Sequence, residues 1–145
     1  MKVLLSKLNE RAIIPEYHTV GASGCDICAC LEAAVEVKPG DRVAVSTGLA
    51  VSVPRGFEIQ VRPRSGLAIK HGLTVVNAPG TIDSDYRGEI KILLINLGHS
   101  PVVIEPGMRI AQLVLAAVER IEWSDNEDLD ATARGAGGFG STGVV

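Results

Sequence analysis

The sequence of 145 residues predicts an all-β fold, a barrel or a sandwich, that contains one short helix. Short runs rich in Val, Ile and Leu recur at close spacing, which is the pattern of many short strands. Pro-Gly pairs and related turn sequences separate these runs, and only one segment is credible as a helix. The runs span residues 43–45, 49–51, 57–62, 73–76, 90–97, 102–104 and 110–115.

Two of these runs predict how their strands are buried. The run 57–62 alternates between apolar and polar residues, so we expect Phe57, Ile59 and Val61 to face inward. The run 90–97 is apolar on nearly both faces, which predicts a deeply buried strand.

Glycine and proline place the turns and the helix. Residues 37–44 and 104–111 resemble each other around a Pro-Gly pair, and we interpret each as a reverse turn that feeds a strand. Two copies indicate shared turn chemistry rather than a repeat protein. The segment 65–72 predicts a helix of two turns at most, with Ser65 as its N-cap and Gly72 at its end.

The chain divides into a core and a tail. We expect residues 1–123 to form one β-barrel core, because this length is sufficient for a single hydrophobic core. Residues 124–145 predict an acidic linker followed by a flexible, glycine-rich C-terminal arm.

Composition and charge exclude several classes of protein. The formal net charge of −3 argues against a protein held to nucleic acid by phosphate neutralisation. No apolar run approaches the length of a membrane span and no signal peptide is evident, so we expect a cytoplasmic protein without a membrane partner. Cys25, Cys28 and Cys30 lack the second ligand pair of a zinc knuckle, and we expect them to be reduced and to act as small hydrophobic residues.

Two segments carry side chains suited to chemistry on phosphates. Arg64, Ser65 and Gly66 follow a strand at the start of the helix, which predicts either an anion site or an ordinary capped turn. In the loop 77–89, two carboxylates lie two residues apart, on Asp83 and Asp85, and share a face if the segment from Thr81 to Asp85 is extended. A carboxylate fixed there is suited to act as a general base for water, whereas turn-forming Asp residues are the alternative.

Three further features carry polar groups in unusual places. Asp26 enters an apolar strand and needs a partner, either an arginine or the water shell of a metal ion. Gln112 interrupts another apolar strand, where it serves either a ligand or structural polar pairing. The tail combines Arg134 and Phe139 with many glycines, whose backbone can approach phosphates closely.

Taken together, five segments in order resemble the motifs of the trimeric deoxyuridine triphosphate nucleotidohydrolases, the dUTPases. They are residues 23–27, 63–68, 80–88, 107–113 and 134–143. One departure from the family pattern is Cys25, which stands where the family usually has an aromatic residue before the Asp of the first motif. It affects packing beside Asp26 rather than the chemistry.

The resemblance implies a jelly-roll-like β fold and a homotrimer in which three chains build each active site. It implies hydrolysis of dUTP to dUMP and pyrophosphate with Mg²⁺ as cofactor. This reaction keeps uracil out of DNA and supplies dUMP for dTTP synthesis. The resemblance also implies that the C-terminal arm closes over the active site.

The resemblance assigns roles to individual residues. Asp83 is the catalytic residue, which activates the water that attacks the α-phosphorus and contacts the sugar 3′-OH. Tyr86 lies against the deoxyribose and leaves no room for a 2′-OH. Asp26 orients Mg²⁺ through water, while the substrate phosphates mainly hold the ion. The other expected substrate-binding residues are Arg64, Ser65, Gly66, Asn77, Ala78, Gly80, Thr81, Ile82, Lys91, Gln112, Arg134, Gly138, Phe139, Gly140, Ser141 and Thr142.

Two alternatives remain on the same fold. A dCTP deaminase or a bifunctional relative places a catalytic Glu on the strand after the hairpin, whereas Lys91 is the only charged residue in the segment 90–95. A nucleotide-sensing binding module is the second alternative, in which the fold binds the nucleotide without turnover.

Overall fold

The computed structural model of the chain describes residues 1–125, 129–139 and 141. Within these residues it contains eleven strands and one helix. The strands are β1 (Leu4–Lys7), β2 (Cys25–Cys28), β3 (Val35–Val37), β4 (Arg42–Ser46), β5 (Leu49–Ser52), β6 (Phe57–Arg62), β7 (Leu73–Val75), β8 (Gly80–Ile82), β9 (Lys91–Asn96), β10 (Val102–Ile104) and β11 (Arg109–Ala117). The helix α1 (Ser65–His71) lies between β6 and β7.

The strands form antiparallel sheets around one core. The largest sheet has the order β2-β11-β6-β8, and a second has the order β4-β9-β7. The pairs β1-β5 and β10-β3 complete the architecture. Buried side chains from both larger sheets meet in a single apolar cluster, to which Ile59 and Leu113 contribute from the first and Ile92 and Leu94 from the second. The predicted all-β, jelly-roll-like class is confirmed.

Burial along the strands agrees with one prediction and corrects another. Strand β6 has the predicted bounds, with Ile59 and Val61 buried. Strand β9 is not buried on both faces in the single chain, because Ile92 and Leu94 face the core whereas Leu93 is 39% exposed. The apolar pattern alone gives no information on what covers the second face of a strand.

The two Pro-Gly segments form the predicted turns. Asp41 N–H donates to Lys38 O at 3.0 Å, and Met108 N–H donates to Glu105 O at 3.1 Å. Gly40 and Gly107 have φ angles of 84° and 77°, a region that favours glycine because it lacks a Cβ atom. Each turn leads directly into the next strand, as the sequence predicts.

The helix begins differently from the prediction. Its N-cap is Arg64, with φ −94° and ψ 125°, and no side chain caps it, so Ser65 is the first helical residue rather than the cap. The reason is that the carbonyl of Arg64 already accepts the first helical bonds, from Leu67 N and Ala68 N. Gly72 ends the helix in the left-handed conformation, as predicted. Among the described residues no helix has the length and apolar character that a bilayer crossing requires.

The three cysteines are free, as predicted. Cys28 is buried on β2, where it pairs with Arg109 of β11, and Cys25 is half-buried with its Sγ 3.6 Å from Leu113 O. Burial raises the pKa of both thiols from the usual value of 9.0, so the protein stabilises their neutral form. Cys25 thus fills its position beside Asp26 as a small, uncharged group.

Candidate active site

A cleft of about 480 Å³ opens between the loop that follows β8 and the start of β9. It brings together many of the predicted substrate-binding residues with side chains of β6 and β9. The lining residues are Val61, Asn77, Gly80, Thr81, Ile82, Asp83, Tyr86, Glu89, Ile90, Lys91 and Leu93. The cleft is therefore the place where the structure concentrates the third of the five sequence motifs.

Strand β8 holds the floor of the cleft against β6. Gly80 pairs with Val61, and a Cβ atom on Gly80 would lie 3.2 Å from both Val61 Cβ and Asn77 Nδ2. Such a distance is shorter than almost all Cβ contacts, so glycine is what lets the Asn77 amide pack against the strand. The absence of a side chain at Gly80 therefore leaves the space that the Asn77 amide occupies beside the cleft.

Strand β8 ends before Asp83 and Asp85. The extended geometry that would place both carboxylates on one face is therefore not adopted. Strand β8 stops at Ile82, and Tyr86 N–H donates to Asp83 O at 3.2 Å across a turn. Asp83 lines the cleft whereas Asp85 does not. The two carboxylates therefore do not act as a pair on one face, and Asp83 is the carboxylate that the turn directs to the cleft.

Tyr86 is fixed by backbone groups that follow it. Its hydroxyl donates to Glu89 O at 2.9 Å, and its ring lies so close to Gly88 that a Cβ atom there would collide with it. Arg87 donates from Nη1 to the carbonyls of Ser84 and Tyr86, at 2.7 and 2.8 Å, which closes the turn. The ring is half exposed, so these local bonds rather than core packing hold it at the cleft.

Glu89 is a cleft residue that the sequence reasoning missed. Its Oε1 accepts a hydrogen bond from Gly48 N–H at 2.9 Å, and its Oε2 lies 3.8 Å from Lys91 Nζ. The side chain is 25% exposed. A charged residue directly before an apolar strand is a signal that could have pointed to it, but its partner lies 41 positions away in the chain.

A second cluster surrounds Asp26, on the sheet edge formed by β2 and β11. Its Oδ2 accepts from Arg109 Nη1 at 3.0 Å, and its Oδ1 lies 3.4 Å from Arg64 Nε. His18 Nε2 lies 3.3 Å from Oδ2 and 2.9 Å from Arg109 Nη1. The side chain of Asp26 is only 14% exposed. The carboxylate that enters an apolar strand therefore has two arginines as partners, and sequence reasoning missed Arg109 and His18.

The Asp26 cluster is not a complete metal cage. Among the described residues, no three His, Cys, Asp or Glu side chains lie together in a way that could hold a metal ion. Magnesium prefers several waters and substrate phosphates over a full set of protein ligands. A single carboxylate, with Arg64 and Arg109 beside it, fits an ion that is held mainly by phosphates and that meets Asp26 through water.

Gln112 and Ala78 lie outside the cleft. Gln112 Nε2 donates to Pro63 O at 2.9 Å, which provides the structural polar pairing expected of a Gln in an apolar strand. Both residues line a separate, shallow depression together with Pro63 and Arg62. Arg64 donates to Arg109 O at 2.9 Å, so the predicted phosphate-binding segment is tied to β11 rather than to the cleft.

The C-terminal arm contacts itself. Arg134 Nε donates to Gly137 O at 2.7 Å, and Ser141 N–H donates to Gly138 O at 3.0 Å. Phe139 is fully exposed. Of the described arm residues, none lines the cleft, while Gly140 and Thr142 lie outside the described residues.

Comparisons with known proteins agree on one family. The dUTPase family model matches residues 10–143. The deoxyuridine 5′-triphosphate nucleotidohydrolase of Desulfotalea psychrophila is 62% identical over 135 residues, which cover 93% of this chain and 90% of that protein. The enzyme of the same name from Wolinella succinogenes is 57% identical and covers 99% of this chain and 95% of its own length. A mutant dUTPase of Staphylococcus bacteriophage 80alpha, solved with dUpNHpp, has a TM-score of 0.88 at 26% identity and covers 99% of both chains.

Proposed function

Since the chain belongs to the dUTPase family and hydrolyses dUTP to dUMP and pyrophosphate, we propose that Asp83 activates the attacking water beside a cleft that holds deoxyuridine. The observation that carries this proposal is the shared turn of Asp83 and Tyr86. One hydrogen bond joins them, and both line the same cleft. A base and a sugar-contacting ring fixed in one turn keep a constant separation, which catalysis by positioning requires.

The rest of the cleft suits the nucleoside. Main-chain groups of Gly80 in the cleft and of Ala78 beside it read the edge of uracil, and Asn77 supports the water. Hydrogen bonds to uracil reject cytosine, because the exchanged donors and acceptors leave buried polar groups unpaired. Thr81 and Ile82 of β8 and Lys91 of β9 also line the cleft.

The phosphates require residues that the cleft of one chain does not hold. Arg64, Ser65, Gly66 and Gln112 all lie outside its lining. We assign the phosphate contacts of each cleft to these residues of a neighbouring copy, in a homotrimer with shared active sites. Cationic and N–H groups at that place offset the negative charge that develops during attack at the α-phosphorus. A mass measurement in solution tests the trimer.

Asp26 would hold Mg²⁺ through water once the substrate is bound. Arg64 and Arg109 keep its carboxylate in place. When bound, Mg²⁺ neutralises phosphate charge and aligns the triphosphate. Among the residues that the structure describes, Asp26 is the carboxylate that we assign to the ion.

The arm closes the site. Phe139 stacks on uracil. The γ-phosphate is held by Arg134, Ser141 and Thr142. Gly138 and Gly140 allow the backbone to approach the phosphates closely. Closure excludes bulk water from the reaction. We place the reaction in the cytoplasm, without a nucleic-acid or membrane partner, as the sequence predicts.

The decisive experiment replaces the proposed base. Asp83→Asn keeps the size of the side chain and removes its basicity, so we expect dUTP turnover to fall by roughly 10²- to 10⁴-fold while dUTP binding remains. Asp85→Asn is the matched control, because Asp85 lies in the same turn but outside the cleft. Pyrophosphate release and calorimetric binding are the two measurements. Equal turnover in the two variants would contradict the assignment.

A substrate panel separates the alternatives on the same fold. Wild-type protein should release pyrophosphate from dUTP in preference to dCTP, dTTP and UTP. The side chains of β9 that line the cleft are Lys91 and Leu93, so this strand supplies no carboxylate for deamination. Ammonia release from dCTP would favour the deaminase, and binding of dUTP without turnover would favour the sensing module.

A further inference from the structure

The side chain of Glu89 is charged, yet it lies in a partly buried position at the cleft. The carboxylate is largely withdrawn from water at the rim of the cleft, and the backbone N–H of Gly48 is its closest partner, at 2.9 Å. The ion pair with Lys91 is long, at 3.8 Å, and more than half of the Lys91 side chain is exposed. An exposed pair of this kind contributes little. The hydrogen bond to Gly48 is therefore the contact that fixes the Glu89 side chain.

Gly48 belongs to a rigid part of the fold. It lies in the turn between β4 and β5, where Thr47 Oγ1 donates to Ile90 O at 2.6 Å and Ile90 N–H donates to Leu49 O at 2.8 Å. Thr47, Leu49 and Ile90 are all buried. Glu89 thus connects the catalytic loop to a turn that is anchored in the core.

The backbone of Glu89 in turn holds Tyr86. The tyrosine hydroxyl donates to Glu89 O at 2.9 Å, and the ring lies against Gly88, where even a methyl group would collide with it. Because Tyr86 is half exposed, these two contacts determine where the ring lies. A movement of the backbone at 88–89 therefore moves the ring.

We propose that Glu89 is a positioning residue: its hydrogen bond to Gly48 fixes the Tyr86 ring and so determines how strongly the enzyme discriminates 2′-deoxyribose from ribose. The inference rests on the proposed function, in which Tyr86 leaves no room for a 2′-OH. Steric exclusion depends on distance, and a displacement of the ring by a fraction of an ångström admits the extra oxygen. Glu89 itself contacts no reacting atom.

The test compares kcat/KM for UTP with that for dUTP. Glu89→Ala removes the acceptor of the Gly48 bond, and we expect the UTP to dUTP ratio to rise by about tenfold, as misplacement of a positioned group does. Glu89→Asp keeps the charge, but its side chain is too short to accept from Gly48 N–H, so it should also raise the ratio. It serves as the test variant if Glu89→Ala does not fold. Glu89→Gln keeps an acceptor oxygen at the same place, and its ratio should stay near the wild-type value.

Two further variants serve as controls for this inference. Ile104→Val removes a methyl group from the core at β10 and lowers the melting temperature but keeps the Glu89 bond, so its ratio should not change. Tyr86→Ala tests the proposed function itself, because it should abolish sugar discrimination. If Tyr86→Ala leaves the ratio unchanged, the sugar role of Tyr86 fails. If Tyr86→Ala raises it while Glu89→Ala and Glu89→Asp do not, the positioning role of Glu89 is wrong. A rise in Glu89→Gln or in Ile104→Val also overturns it.

Discussion

The cleft and the C-terminal arm hold their polar groups in opposite ways. In the cleft, Glu89 bonds to Gly48 and Ile90 bonds to Thr47, contacts that span 41 and 43 positions and end in the core. In the described part of the arm, the bonds of Arg134 and Gly135 span three positions each. The cleft is therefore preorganised by the fold, whereas the arm is shaped only by its own turns.

The contrast teaches where each kind of group is useful. A general base and a sugar contact must keep a constant geometry before the substrate arrives. Local bonds hold Asp83 and Tyr86 within their turn, and the bond from Glu89 to Gly48 ties that turn to the core. A closing segment must be able to leave, so it draws its residues from a part of the chain with few core contacts. Three tests, in order of decreasing expected effect, can break this comparison.

The largest effect is expected from a matched pair of leucine substitutions. Leu94 lies on β9 behind the cleft and is 1% exposed, whereas Leu129, in the acidic linker that leads to the arm, is 92% exposed. Leu94→Ala should lower the free energy of unfolding by about 2–5 kcal/mol, because it leaves a cavity in the core. Leu129→Ala should change it by less than about 0.5 kcal/mol. Denaturant titration measures both, and a large effect of Leu129→Ala would show that the linker to the arm is part of the folded core.

The second effect concerns activity without stability. A chain that ends after Asp130 lacks the arm, and we expect its dUTP turnover to fall by roughly 10²- to 10³-fold, the order seen when a charge-stabilising group is removed. Its melting temperature should equal that of the full chain, because the hydrogen bonds given for the described arm residues join arm residues to one another. Pyrophosphate release and thermal denaturation measure the two quantities. Full turnover of the shortened chain would show that the arm is not required for catalysis.

The contrast between contacts that are local and contacts that are distant in the chain also explains what could be predicted from sequence. The strands were predictable because β-branched runs and turn residues act over a few positions, and Asp83 and Tyr86 were predictable as one motif in one loop. Arg109 and His18 were not assigned to Asp26, because their contacts with Asp26 and with each other join positions that are far apart in the chain. Glu89 escaped for the same reason, since its partner Gly48 lies in another turn.

Two errors have a different cause. The sequence placed Ser65 at the N-cap because serine is a favoured cap, yet the helix begins after Arg64 without a side-chain cap. It also placed Leu93 in the core, although Leu93 lines the cleft. Local propensity and hydrophobicity limit the conformations and environments that a residue can adopt. Contacts with the rest of the chain determine which of these it adopts.

The smallest effect comes from a matched pair of glycines. A Cβ atom on Gly80 would lie 3.2 Å from Val61 Cβ and Asn77 Nδ2, whereas one on Gly138 would meet nothing within 4 Å. Gly80→Ala should therefore cost about 1 kcal/mol of unfolding free energy, toward the low end for overpacking, because β6 is anchored in the core. It should also raise the KM for dUTP several-fold, since the Asn77 amide has to move. Gly138→Ala should leave the unfolding free energy unchanged, even if closure of the arm becomes slower. Equal stability losses in the two variants would contradict the contrast between a preorganised cleft and a self-contained arm, because an added methyl group is crowded at Gly80 and meets open space at Gly138.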